Sequence, residues 1–543
     1  MTVHEPQAAT TPKKSHPSPR AYRIIYNWDG APAHYSEYPQ SMERFLEKVY
    51  APMADTQIDA HFWSIGTHEA EWPTDTVEYL GETADRRYDS VLPMRQSENL
   101  RAMFERGKNP YQAMVDRGHE LGIDVYCSVR MNDNHFWDLT PEDVPGTTRV
   151  GLTRFRKEHP EWLLGTDEAP RWASTSWNMA IPEVREERLQ FIIEACRQAD
   201  WDGVELDWQR HAFHLPEHDG YRLRYTLTDL QRSVRRATDQ IADERGRPFH
   251  LAVRVATTLE SCRRIGYDVE TWIKEGLCDI VIGGGNSGTD PGFEVERFKE
   301  MADGNGIRVY PCFDFDTRQQ SNRLLPHLAW RDSWFRALSS DFWDRGVDGI
   351  YIFNWHANER MRRNLLTTIG SPETLRHTDK VYSALHRSIA PKGKRSSTGA
   401  ERTGAERDDR IYGETPVVLY RAMTGDGPRF HINISDDVAE EAANGLLESL
   451  DLRVELDHYS PADTVEVTLD REPLGVPVVR HPSAENPTVP EDVDENAWLV
   501  WPLEPSRAGK GRHEVQVALI ERDPRIGSEL VVNNVEFYLT FGG

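Results

Sequence analysis

Cysteine is scarce, with five in 543 residues, at positions 127, 196, 262, 278 and 312. The number is odd and no two are closely spaced. Neither a disulfide framework nor a zinc knuckle can be assembled from them, and buried free thiols are the expectation. Positive charge is also short. Lys plus Arg total 64 against 89 Asp plus Glu, a formal charge of −25, which excludes a protein that tracks nucleic-acid phosphates with clustered cations. No apolar run approaches the ~20 residues of a membrane-spanning helix, so no membrane partner is expected. The first 20 residues, MTVHEPQAATTPKKSHPSPR, lack an apolar signal core. Their Pro, Ser, Thr and Lys read as a disordered tail, and the expected compartment is the cytoplasm.

Aromatic residues, by contrast, make up 10% of the chain and include 16 Trp, 14 of them before residue 390. So much bulky apolar material requires a folded core. Between residues 21 and 390, short β-rich runs alternate with helical stretches. The runs are Tyr22–Tyr26, Ala60–Ser64, Asp124–Val129, Gly203–Asp207, His250–Val255, Asp279–Ile282, Arg308–Phe313 and Gly349–Asn354. Several are continuously apolar, as strands buried on both faces should be. Helical periodicity falls between them, over Val184–Arg197 and Tyr225–Asp243. Eight strand–helix units predict an α/β fold, a (β/α)8 TIM barrel, with a doubly wound open sheet as the alternative. Residues 391–412 are polar and charged and read as a linker. Seven short strands with alternating patterning follow, which predicts a β-sandwich over 413–543. A sandwich beside a barrel offers a surface for self-association.

In a (β/α)8 barrel the reactive groups stand at the C-terminal ends of the strands. The eight runs end on Asn27 and Asp29; His61, Trp63 and Ser64; Arg130, Asn132, Asp133 and His135; Glu205, Asp207, Trp208, Arg210 and His211; Arg254, with Glu260 further on; Asn286; Asp314 and Asp316; and Asn354, Trp355, His356 and Glu359. Amides, carboxylates, cations and flat rings at one mouth suit a carbohydrate, which needs many hydrogen-bond partners and apolar faces. Asn27, Asp29, His61, Trp63, Arg130, Asn132, Asp133, Trp208, Arg210, Arg254, Asn286, Asn354, Trp355 and His356 are the candidate substrate contacts. Trp63, Trp208 and Trp355 would stack on sugar rings or plug the mouth. The Gly-rich stretch 283–288 reads as a tight turn, because it lacks the Lys and Ser/Thr of a phosphate loop.

The fourth run is the most informative. Glu205 and Asp207 are two apart, so they share one face of a strand and point into the barrel, with Val204 and Leu206 outside. Two inward carboxylates are costly unless paired or used. They are either half of an internal salt bridge, with Arg130 or Arg254, or catalytic. Glycoside hydrolysis takes two carboxyl groups astride the scissile bond. Asp207 is the candidate nucleophile or base, and Asp314 across the mouth is the first choice for the second group. Glu260, Asp133 and Glu359 are alternatives, and Glu205 is a further catalytic candidate.

Residues 159–211 also carry a resemblance. His159-Pro160-Glu161-Trp162, then Pro182-Glu183-Val184-Arg185, a helix, and Asp202-Gly203-Val204 with Leu206 and Asp207 follow one another in that order. This stretch resembles the bacterial glycosyl-hydrolase-like barrels, notably glycosyl hydrolase-like family ten. The resemblance covers about a tenth of the chain and implies a (β/α)8 barrel with glycosidase-like chemistry at Asp207. A looser similarity to chitinase-like barrels over Asp202, Gly203, Glu205 and Asp207 departs at Gln209, where the proton-donating Glu would stand. Another, to α-amylase-like barrels over Gly203, Asp207 and His211, departs at Glu205, where an Arg is expected. The expected function is therefore a glycosidase without a cofactor, with a non-catalytic glycan-binding barrel as the alternative. A metal-assisted hydrolase using His61, His135, His211, His356 and Asp314 is the third reading. No His-x-His or His-Glu-x-x-His spacing supports it, and no metal is expected.

Overall fold

The predicted runs become strands with their ends moved by at most two residues. A computed structural model describes residues 17–28, 34–66, 68–82, 85–136, 138–149, 151–169, 171–285, 289–314, 328–355, 360–384, 414–481 and 496–542. Eight parallel strands close into a barrel: β1 (Ile24–Trp28), β2 (Ile58–Ser64), β3 (Asp124–Arg130), β4 (Gly203–Asp207), β5 (His250–Val255), β6 (Ile280–Gly283), β7 (Arg308–Asp314) and β8 (Ile350–Phe353). They pair in sequence order and β8 returns to β1, so no edge is left open.

Alternation along each strand divides the core in two. Ile25, Phe62, Tyr126, Ala252, Ile282, Tyr310, Cys312, Tyr351 and Phe353 form an inner cluster. The intervening Trp63, Val125, Val204, Leu206, Val253, Val309 and Ile352 join the large outer cluster beneath the helices. Both faces are buried, which is why several of the runs read as continuously apolar. Gly203 is required by packing, because a Cβ there would lie 2.3 Å from the His250 carbonyl and 2.4 Å from the Tyr126 ring. Both predicted helices are present within longer ones. Pro182–Arg197 starts on a proline, whose missing N–H costs nothing at a first turn. Gly220–Arg245 stops at Gly246, which takes the left-handed conformation at φ +65°.

The C-terminal region forms two antiparallel sheets. The strands are β9 (Lys380–Ser383), β10 (Val417–Leu419), β11 (Arg429–Ile434), β12 (Leu447–Asp457), β13 (Thr464–Leu469), β14 (Glu472–Pro473), β15 (Val478–Arg480), β16 (Asn496–Pro502), β17 (Gly511–Glu521) and β18 (Leu530–Phe541). Six form one sheet in the order β10-β18-β12-β16-β15, with β9 also on β18, and four form the other as β11-β17-β13-β14. Leu452, Val454 and Phe537 of the first meet Ile432, Val467 and Val517 of the second in one core.

Two particulars depart from the sequence reading. Lys380–Ser383 lies within the stretch assigned to the barrel, yet it adds a strand to the C-terminal sheet. Its Lys380 ammonium is buried and paired with Asp436 at 2.9 Å. Arg20, assigned to the tail, forks onto Asp124 with Nε–Oδ2 and Nη2–Oδ1 both 3.0 Å. Residues 1–16 and the expected linker 391–412 lie outside the described residues. All five cysteines are buried and none is in a disulfide, and no described helix is long and apolar enough to cross a membrane.

Candidate active site at the barrel mouth

Strand register carries the polar side chains to one level. Arg130, Asp207 and Arg254 are direct neighbours across β3, β4 and β5. All three point inward, since Ser128, Glu205 and Ala252 share their parity. One level deeper, Glu205 is fully buried. Its carboxylate accepts hydrogen bonds from Asn27 Nδ2 at 2.9 Å, from the Tyr351 hydroxyl at 2.7 Å, and from the Ser128 hydroxyl. Burial pushes the Glu205 carboxyl above the usual range, and the charge of Asp207 pushes it further.

Asp207 meets Arg254 in a bidentate pair, with Nε–Oδ1 2.9 Å and Nη2–Oδ2 3.0 Å. Backbone N–H groups of Gln209 and Arg210 also donate to Oδ1, at 3.2 and 3.0 Å. The carboxylate is 1% exposed and the guanidinium lies 4.2 Å over the Phe353 ring. The internal salt bridge considered from sequence thus exists, and its partner is Arg254. Asp314 ends β7 on the same inward face as Cys312 and is buried. The Cys312 thiol is pushed up by burial, eased by Arg254, and pushed further by Asp314, Asp207 and Glu205.

A second cluster stands on the loops after β3 and β4. Asp133 Oδ2 receives Arg130 Nη1 at 3.2 Å, while Oδ1 faces His135 Nδ1 at 2.5 Å and His211 Nδ1 at 3.9 Å. Burial alone would raise the Asp133 carboxyl. His135, and then Arg130 and His211, more than reverse this and hold it well below the usual range. Burial, followed by the charges of Arg210 and His135, lowers His211. His211 itself sits at φ +144° and Phe213 at φ +95°, backbone conformations that residues with a Cβ rarely adopt.

Several expected substrate contacts are not at the mouth. Trp63, Trp208 and Trp355 are at most 1% exposed and belong to the outer core. Trp208 packs on Tyr267 and Trp272, and Trp355 packs on Phe313 and Phe335. At this burial they present no exposed ring face. His61 has the same outward parity, lies among Tyr26, Tyr50 and Trp63, and is lowered to about 3 by burial. Asn27 is beneath the mouth, tied to Glu205. Asn132 spends its amide on Trp177 and Phe213 backbone groups, and Glu260 is exposed on a helix first turn. Asn354 closes β8 in the left-handed conformation at φ +56°. Asp29, Asn286, His356, Asp316 and Glu359 lie outside the described residues. Ser128 and Tyr351 were missed, although both occupy inward positions that strand parity identifies.

No known family's sequence profile matches the chain, and no curated sequence matches it. Among solved structures, it is similar to alpha-L-fucosidase isoenzyme 2 from Paenibacillus thiaminolyticus, at 15% identity and TM-score 0.38 over 65% of this chain and 48% of that one. It is similar to the PgaB (BpsB) glycoside hydrolase domain from Bordetella bronchiseptica, at 11% identity and TM-score 0.37 over 65% and 99% of the two chains. A cycloisomaltooligosaccharide glucanotransferase from Paenibacillus sp. overlaps 95% of this chain and 57% of its own, at 9% identity and TM-score 0.31. The chain spans 48% and 57% of the fucosidase and glucanotransferase lengths. The closed barrel rests on this chain's own strand pairing.

Proposed function

We propose that the chain is a glycoside hydrolase acting on an oligo- or polysaccharide at the mouth of the barrel. The observation that carries this reading is the pair of inward carboxylates, Asp207 and Asp314, ending β4 and β7. The order of elements over residues 159–211 supports it. Asp207 is the nucleophile or base. Its bidentate Arg254 fixes the carboxylate plane and removes the freedom that would otherwise be lost in reaching the transition state. Asp314 is the proton donor, and Glu205 is a buried positioning group that ties β1, β3, β4 and β8 together beneath the reacting level.

A second reading is a barrel that binds glycans without cleaving them. The occupation of both Asp207 oxygens by Arg254, at 1% exposure, favours it. One experiment separates the two. The full chain is incubated with α- and β-linked oligo- and polysaccharides while released reducing ends are counted. Hydrolysis by the wild type, lowered at least ~10²-fold in both Asp207→Asn and Asp314→Asn, is expected of an acid–base or nucleophilic pair. Thermal unfolding of each variant shows that the barrel persists. Binding without product release establishes the second reading, and variants active within a few-fold of wild type overturn the assignment of these carboxylates.

A further inference from the structure

The cluster on the β3 and β4 loops has a chemistry that the carboxylate pair does not use. Asp133, His135 and His211 each offer one ligand atom, and these atoms lie within 4.8 Å of one another. We propose that they bind a first-row divalent transition ion of the zinc class, beside the carboxylates of the mouth and independently of whether those cleave a glycan.

Three observations support a built site. First, the donor set is two imidazoles and one carboxylate, the borderline nitrogen and oxygen ligands that such ions prefer over alkaline-earth ions, which favour all-oxygen sets. Second, the donors are gathered close to metal spacing, although His135 Nδ1 is hydrogen-bonded to Asp133 Oδ1 and has to draw back to admit an ion. Donors around a four-coordinate ion at ~2.1 Å lie ~3.4 Å apart. The separations from Asp133 Oδ1 to the two imidazole nitrogens, 2.5 and 3.9 Å, bracket that value. Third, the carboxylate is presented correctly. Arg130 takes Oδ2 at 3.2 Å, which turns Oδ1 toward both rings, as supporting hydrogen bonds orient metal-binding carboxylates.

The ligands differ in access in a way that suits entry and turnover. Asp133 and His211 side chains are 5% and 11% exposed, whereas His135 is 53% exposed and opens the cluster to solvent. Three protein ligands leave a fourth position for water or a substrate hydroxyl. His211 donates no backbone convenience to the fold. Its φ of +144° costs energy that the surrounding loop must hold in place, and the result is an imidazole aimed at Asp133 and His135. Its Nδ1 lone pair accepts the Asn134 N–H at 3.2 Å, a bond that ligation through Nδ1 would replace.

The test needs no glycan, so it fails or succeeds separately from the proposed hydrolase. The full chain is stripped with chelator, and Zn2+ is titrated calorimetrically. Co2+ is added in parallel and its visible absorption recorded. One equivalent of Zn2+ is expected, with a Co2+ spectrum of a nitrogen–oxygen site. Affinity should fall at least ~10-fold in His135→Ala and in His211→Ala. His135 is half exposed, so His135→Ala retains the fold, which circular dichroism checks. Substoichiometric binding overturns the proposal, and so does stoichiometric binding that both variants preserve.

Discussion

Two buried glutamates, Glu205 in the barrel and Glu455 in the C-terminal sheets, look alike in isolation and differ in what lies beside them. Glu205 is held by Asn27, Ser128 and Tyr351 from three other strands. Glu455 of β12 is held by Asn496 at 3.0 Å and by Asn534, from β16 and β18. Burial pushes Glu455 up to about 8, against the pull of both amides and with Glu536 and Asp457 adding to it. Both carboxyls are therefore perturbed mainly by desolvation. The next inward residue after Glu205 is Asp207, at the C-terminal end of a strand in a parallel barrel. Glu455 sits mid-strand between antiparallel partners on both sides. A perturbed carboxyl marks a functional site only where the topology leaves room for a ligand.

The comparison is sharpest at the ion pair. Arg254→Met leaves Asp207 buried without its partner, and breaking such a pair costs about 3–5 kcal/mol. Urea unfolding should register that loss, whereas the double variant Arg254→Met with Asp207→Leu should recover most of it. A double variant as unstable as the single one would show that the loss arises from packing rather than charge. For the other glutamate the measurable quantity is a pH slope. Folded Glu455 keeps its proton to about 8, while the exposed side chain releases it near 4.5. Between those values the folded state binds more protons, so stability falls as pH rises, by up to about 1.4 kcal/mol per pH unit. Glu455→Gln cannot ionise. Its urea midpoint should gain on wild type as pH is raised from about 5 to about 8, and a constant difference would remove Glu455 as the source. The smallest effect is expected between the two regions. Lys510 and Asp344 pair at 2.5 Å but remain 47% and 40% exposed. Lys510→Ala should change the unfolding free energy by less than ~1 kcal/mol, and a larger loss would mean that the regions are coupled through this contact.

Much of the fold was legible because parallel strands buried on both faces must be apolar throughout, and eight such runs stood out between helical stretches. The inward parity of Glu205 and Asp207 followed from the exceptions in one run. The same apolar character hid the parity of Trp63, Trp208 and Trp355. Where every position is hydrophobic, a strand end does not reveal which face a ring takes, and a shift of one residue reverses it. Of the cluster of Asp133, His135 and His211, the sequence shows locally just the Asp133-x-His135 spacing, because His211 stands on the loop after β4 and joins them through the pairing of β3 with β4.

The chain's alternation, turn residues and polar strand ends favoured an α/β barrel over an open sheet, with carboxylates at the strand ends, since local periodicity is a property of neighbouring residues. Which cation would bind Asp207, and which rings would face the core, depended on strand register and on contacts between distant segments. Those are set by the three-dimensional closure of the barrel, because a single stretch of sequence does not record the distance between side chains on different strands.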